Sequence, residues 1–125
     1  MLSLSSSFTV LPAEDITRAR DFYSRLGLTP FREDDESLLY GSTEEPQLMI
    51  YKTPNVGTAK NTQICWAVTD IRATMDELRS AGVTFEDYDF EGLTTVDGVA
   101  EMDVEYSAWF RDSEGNYVCL AQART

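Results

Sequence analysis

Apolar and polar positions run through the same sequence of patterns twice along this chain. In the first pass, Ser7 to Leu11 reads as a strand. Ile16, Ala19, Phe22, Tyr23 and Leu26 then recur at helical spacing and make one apolar stripe. Asp15 has the chemistry of a helix N-cap, and Gly27 sits where a left-handed C-cap belongs. In the second pass, Ile64 to Val68 is strand-like, Asp70 is the N-cap, Ile71, Met75 and Leu78 share a face, and Gly82 ends the helix. Asp15 and Asp70 are 55 residues apart, as are Gly27 and Gly82. On that offset Phe8 corresponds to Gln63 and Leu28 to Val83. Two strand–helix–strand units at one spacing predict an internal duplication, with too few copies for a solenoid.

Further strands complete each unit. Leu28 to Arg32, Ser37 to Tyr40 and Gln47 to Tyr51 read as strands, with the acidic run Glu33 to Glu36 as a solvated hairpin turn. The first βαβββ module then covers residues 7–52, and residues 53–60, with Pro54 and Gly57, form a linker. The second module covers 61–123, and the whole chain, 1–125, is read as a single domain. Its strands are placed at Val83 to Asp89, Val99 to Arg111 with a break near Asp103, and Tyr117 to Gln122. Phe90 to Gly98 is read as a loop, and Asp112 to Asn116 as a tight turn with Gly115 at positive φ. Strand periodicity puts Gln63, Cys65 and Ala67 on one face, with Ile64, Trp66 and Val68 towards the helix. Tyr117, Cys119 and Ala121 likewise share a face.

Charge narrows the partners. Lys and Arg total 10 against 22 Asp and Glu, a net charge of −12. Nucleic acid and an anionic membrane surface are excluded as partners, because phosphate binding needs a basic face. No stretch approaches the roughly 20 apolar residues of a membrane helix. The Ser-rich start lacks the basic and apolar regions of a signal peptide. Two cysteines, Cys65 and Cys119, make no disulfide framework, so a reduced, cytoplasmic protein is expected. Both thiols are expected to be buried and packed as small apolar groups, with a redox role as the alternative. The chain has no histidine, which removes Ser-His and Cys-His nucleophile pairs. Phosphate-loop, zinc and nucleotide fingerprints are absent.

Three segments carry a resemblance: AEDITRARDFYSRLGL near the start, VTDIRATMDELRSAGV in the middle and AWFRDSEGNYVCL near the end. With the paired βαβββ plan, the chain resembles the vicinal oxygen chelate superfamily, which includes glyoxalase I, bleomycin-resistance proteins, fosfomycin-resistance enzymes and extradiol dioxygenases. The resemblance implies an α+β fold in which two βαβββ modules form incomplete barrels around a cleft. In the enzymes of that group a divalent metal sits in the cleft, held by His, Gln or Glu. Those positions map here to Phe8, Gln63 and Cys119, with the fourth near Tyr51. Phe8 cannot bind a metal and Gln63 is a weak ligand alone. No metal and no cofactor are therefore expected.

The ligand surface expected from this resemblance consists of Phe8, Tyr51, Gln63, Tyr88, Phe90, Trp109, Tyr117 and Cys119. Tyr88 and Phe90 lie among the carboxylates of residues 86–105, a combination suited to a flat or cationic organic ligand. The bland reading of that segment is a solvated loop with its aromatics packed inward. The favoured reading is a metal-free small-molecule-binding protein of the bleomycin-resistance type that sequesters a cationic or aromatic compound and works as a homodimer. The alternative is a divergent lyase, isomerase or dioxygenase recruiting Gln63, Cys119, Glu101 or Glu105.

Overall fold

The computed structural model describes all residues, 1–125. It divides into two compact units, one comprising Met1–Ala59 with Asp112–Asn116, the other Lys60–Arg111 with Tyr117–Thr125. The fold is α+β, and neither sheet closes into a barrel.

In the first unit the elements are β1 (Thr9–Ala13), α1 (Ile16–Arg25), β2 (Arg32–Glu33), β3 (Ser37–Gly41) and β4 (Pro46–Lys52). The four strands lie in the order β1-β4-β3-β2. β1 runs parallel to β4, and the other pairs are antiparallel. Pro12 is tolerated because β1 is an edge strand. Asp15 caps α1 as expected, its carboxylate accepting the Arg18 N–H at 3.0 Å. The helix buries Ile16, Ala19, Phe22 and Tyr23. Leu11, Ala13, Leu38, Tyr40, Leu48 and Ile50 are buried in the same unit, all on one face of the sheet by register. Each such side chain contributes about 1.5–3 kcal/mol when large and apolar. The opposite face is open, leaving Val10 47% and Tyr51 40% exposed.

The strand expected over Leu28 to Arg32 shrinks to Arg32–Glu33. Pro30 has no N–H to give a ladder. The acidic run is more than a solvated turn: Asp34 Oδ1 accepts the N–H groups of Glu36 and Ser37, each at 2.8 Å. Those bonds hold the Asp34 carboxyl below its usual range.

The second unit contains β5 (Ile64–Ala67), α2 (Ile71–Ser80), β6 (Asp89–Phe90), β7 (Leu93–Val96), β8 (Val99–Glu101), β9 (Glu105–Arg111) and β10 (Tyr117–Ala123). Their order is β5-β10-β9-β8-β7-β6. β5 is parallel to β10, and the remaining pairs are antiparallel. Asp70 accepts the Ala73 N–H at 3.1 Å, and the Gln122 side chain accepts the Ile71 N–H at 2.8 Å, so the start of α2 is doubly satisfied. Ile71 and Met75 are buried.

Two expectations in this unit are corrected. Val83 to Tyr88 forms no strand, only an isolated bridge from Phe85 to Phe110, and Asp89 already belongs to β6. The segment 90–98 is not a plain loop, since β6 and β7 pair across Glu91–Gly92, and β7 and β8 across Asp97–Gly98. Asp97 has φ 52° and Gly98 φ 81°, the left-handed pair that a two-residue hairpin turn demands. The long strand does break near Asp103, between β8 and β9.

Candidate functional site

One face of the second unit gathers most of the expected site residues. Cys119 is partnered with Cys65 on β5 and with Trp109 on β9, and Tyr117 is partnered with Arg111. Directly paired residues project from the same side of a sheet, so these five share one face. Gln63 joins them at the start of β5. Its N–H donates to the Tyr117 carbonyl at 3.0 Å, and its Oε1 accepts the Tyr117 N–H at 2.9 Å.

Trp109 lies across this face. Its indole N–H donates to Thr62 Oγ1 at 3.0 Å. Thr62 adjoins β5, and β10 lies between β5 and β9, so the indole must cross β10 to reach it. Tyr88 packs edge-on against Trp109 with centroids 5.7 Å apart, and Phe90 packs edge-on against Tyr88 at 5.9 Å. Phe90, 58% exposed, ends this run of rings at the solvent. Tyr88 and Phe90 are therefore part of the same aromatic surface and not an inward-packed loop core.

The charge on this surface is balanced. Arg111 pairs with Glu86 at 2.9 Å and lies over the Tyr117 ring at 5.2 Å. The Glu86 hydrogen bond raises the Arg111 guanidinium further. Burial, with Glu86 second, pushes the Tyr88 phenol up. Of the carboxylates between 86 and 105, Asp87 accepts the Thr95 hydroxyl, Glu101 pairs with Arg124 and Glu105 accepts the Ser107 hydroxyl. Arg111 and Thr62 were not singled out from the sequence. The hairpin turn at Asp112–Asn116 does place Arg111 opposite Tyr117, so a register count would have found Arg111.

Phe8 and Tyr51 lie on the open face of the first unit and are not brought together. Tyr51 is partnered with Pro12, four residues beyond Phe8, so they occupy opposite ends of that face. The ladder also refines the repeat. Val10 pairs with Met49 as Cys65 pairs with Cys119, so Met49 is the counterpart of Cys119 and Tyr51 stands two residues further along the same face. Cys119 is buried, but Cys65 is exposed, which corrects the expectation of two buried thiols. β5 is an edge strand, and periodicity does not reveal edges.

The first unit also has a polar concavity of about 750 Å³ with Glu14, Arg18, Arg20, Glu33 and Lys52 among its lining residues. Arg18 and Arg20 already pair with Glu114 and Glu33. The aromatic face has the apolar surface that an organic ligand needs, and this concavity does not.

The family model described as the glyoxalase/bleomycin resistance protein/dioxygenase superfamily matches residues 6–120. The chain belongs to that superfamily. No curated protein sequence matches it. Among solved structures it is similar to TnmS3, an antibiotic-binding protein from a Streptomyces species, with TM-score 0.72, 18% identity and 98% of each chain covered. It is similar to a bleomycin-binding protein solved with bleomycin, with TM-score 0.69, 17% identity, and 94% of this chain and 98% of that one covered. The fosfomycin resistance protein FosX from Listeria monocytogenes gives TM-score 0.70 at 13% identity, covering 99% of this chain and 96% of that one.

Some superfamily members carry a divalent metal, and the residues here do not fit one. Phe8 has no ligand atom, Gln63 Oε1 is engaged by the Tyr117 N–H, and burial pushes the Cys119 thiol up to about 12. No group of three or more His, Cys, Asp or Glu side chains is placed to hold an ion. No helix is long and apolar enough to cross a membrane.

Proposed function

We propose that the protein binds a small organic molecule, cationic or aromatic, without a metal, and acts by sequestering it. The observation that carries this reading is the continuous surface of Phe90, Tyr88 and Trp109 beside the Arg111–Glu86 pair. Aromatic faces bind planar rings by stacking and cations through the ring quadrupole. The net charge of −12 favours a positive ligand. TnmS3, an antibiotic-binding protein, and the bleomycin-binding protein share this fold and support the same class. The residues assigned to binding are Gln63, Tyr88, Phe90, Trp109, Tyr117 and Cys119 on the second unit and, separately, Phe8 and Tyr51 on the first unit's open face. That face exposes Val10 and Tyr51, and the pairing proposed for it is with a second copy of the chain, giving a homodimer.

The alternative, a divergent lyase, isomerase or dioxygenase, would rely on Gln63, Cys119, Glu101 or Glu105. A thermal-shift screen of cationic and aromatic compounds, bleomycin included, with and without Mg²⁺, Mn²⁺ and Zn²⁺, separates the two readings. A ligand of the folded state raises the midpoint by mass action. A shift with a cationic aromatic compound, unchanged by chelator, is the expected result. A shift with metal alone and none with any organic compound would reverse the assignment.

A further inference from the structure

Cys65 and Cys119 are direct partners in the parallel β5–β10 ladder. Partnered residues project to the same side, and adjacent strands lie about 4.8 Å apart. A disulfide spans Cα separations of roughly 4.4–6.8 Å. The Cys65 thiol donates to the Trp66 carbonyl at 3.9 Å and the Cys119 thiol to the Leu120 carbonyl at 3.3 Å. Neither cysteine is in a disulfide here.

The two thiols differ in access. Cys65 is exposed on the edge strand β5, whereas Cys119 is 6% exposed on the central strand β10. Thiol–disulfide exchange needs one thiol that an external reagent can reach and a second that then displaces the reagent. Burial, then the proximity of Cys65, pushes the Cys119 thiol up, so its attack on Cys65 speeds up as pH rises, while its cover keeps it from meeting the external disulfide first.

We propose that Cys65 and Cys119 form a reversible redox pair on the aromatic face of the second unit, with a low-molecular-weight disulfide as oxidant. In the first step the Cys65 thiolate attacks one sulfur of the small disulfide. A Cys65–small-thiol mixed disulfide forms, the oxidant's S–S bond breaks, and one small thiolate leaves. In the second step the Cys119 sulfur attacks the Cys65 sulfur and expels the second small thiol, which takes the Cys119 proton. Overall, two protein thiols are oxidised to one disulfide and the small disulfide is reduced to two thiols. Excess small thiol reverses both steps. The product bond lies beside Trp109, the other ladder partner of Cys119. The pair depends on the ladder register alone, so its test stands apart from the ligand reading.

The experiment treats the full chain with oxidised glutathione, blocks remaining thiols by alkylation under denaturing conditions, and measures intact mass. The expected wild-type product has lost two hydrogens, carries no glutathione and takes no alkyl group. Cys119→Ser should stop at a single glutathione adduct on Cys65. Cys65→Ser should react at least about 10-fold more slowly than wild type, because only the covered thiol remains. Reduced glutathione in excess should return the wild-type product to two alkylatable thiols. A wild-type product holding glutathione on Cys65 with Cys119 still alkylatable would overturn the proposal, as would a covalent dimer linked through Cys65. The wild-type measurement alone decides, so the proposal stays testable if a serine variant folds poorly.

Discussion

The Tyr23 hydroxyl donates to Asp112 Oδ2 at 2.5 Å, joining positions 89 residues apart. The rest of that carboxylate is also used: Oδ1 accepts the N–H groups of Glu114 and Asn116 at 2.8 and 2.9 Å, and Oδ2 accepts the Asn116 amide at 2.9 Å. Tyr23 is 0% and Asp112 6% exposed, so water offers no replacement for the phenol. Tyr23→Phe should cost about 2 kcal/mol in urea unfolding, the value of a buried bond to a charged group. Tyr40, 4% exposed and also in the first unit, gives the contrast, because its hydroxyl has no protein partner. Tyr40→Phe should be neutral or stabilise by up to about 1 kcal/mol. A large loss from Tyr40→Phe would show that its hydroxyl is satisfied.

These phenols also set an alkaline limit. Burial, then Asp112, raises Tyr23 well above an ordinary tyrosine. Burial, then Glu33, takes Tyr40 up to about 12, with Arg20 opposing. Below the usual value of 10.0 both phenols are neutral folded or unfolded, so this contribution is intact. Above it the unfolded chain releases the protons while the fold retains them, and stability is lost as pH rises, through about 12 for Tyr40. Urea midpoints measured across that window should fall with pH, and less steeply in either Phe variant.

Glu114 organises the start of α1. Its Oε1 accepts the N–H groups of Glu14 and Asp15 at 2.9 and 3.0 Å, and Arg18 donates to both of its oxygens. Glu114→Ala strips partners from two main-chain donors and should cost about 3 kcal/mol. Arg18→Ala leaves those donors satisfied and should cost clearly less, since the Arg18 side chain is 52% exposed. Burial pushes the Glu114 carboxyl up, but the bonds from Arg18, Asp15 and Ser113 outweigh it and hold the group below 4.5. Its contribution is present above 4.5 and lost as pH falls through the lowered folded value. Acid unfolding of Glu114→Gln should therefore be flatter below that point than in wild type.

Gly41 closes β3 with φ +108°, and a Cβ there would sit 2.6 Å from the Glu45 carbonyl oxygen and 2.9 Å from the Gln47 nitrogen. Gly92, at φ +90°, has open space around it. Both alanine variants incur backbone strain of roughly 1–3 kcal/mol, and only Gly41→Ala adds a main-chain clash. Gly41→Ala should be the less stable by thermal melt. Equal losses would mean the turn before β4 can yield.

Trp109→Ala should weaken an identified ligand at least about 10-fold, as loss of a central aromatic anchor does. Trp109→Phe should recover part of that loss, because it keeps a ring against Tyr88 while giving up the bond to Thr62. Isothermal titration beside a melting curve distinguishes lost contact from lost fold. Unchanged affinity in Trp109→Ala would move the site elsewhere.

The features legible in the sequence are those that short windows encode. Both helix stripes, the Asp15 and Asp70 caps and the two-copy plan follow from spacing, and the paired faces of β5 and β10 follow from parity. What escaped it depends on chain neighbours far away in sequence. Glu114 reads as one more acid in a turn until it is seen to satisfy the N–H groups of Glu14 and Asp15. Cys65 reads as core until β5 proves to be an edge. Tyr51 falls on the right face but two residues from the true counterpart of Cys119, because parity fixes the side of a strand and not its register. The Asp97–Gly98 hairpin is the exception, because an Asp-Gly pair between two short strands is a local signal for a two-residue turn.

Residues 112–116 group with the first unit although more than fifty residues of the second unit separate them from it in sequence. A fragment ending at residue 59 would therefore be an incomplete half. It would keep the α1 stripe yet leave the Tyr23 phenol without its acceptor, and the Glu14 and Asp15 amides without theirs. Splitting this chain at the boundary between its repeats should yield an N-terminal piece that refolds only when a peptide bearing the DSEGN sequence is supplied in trans.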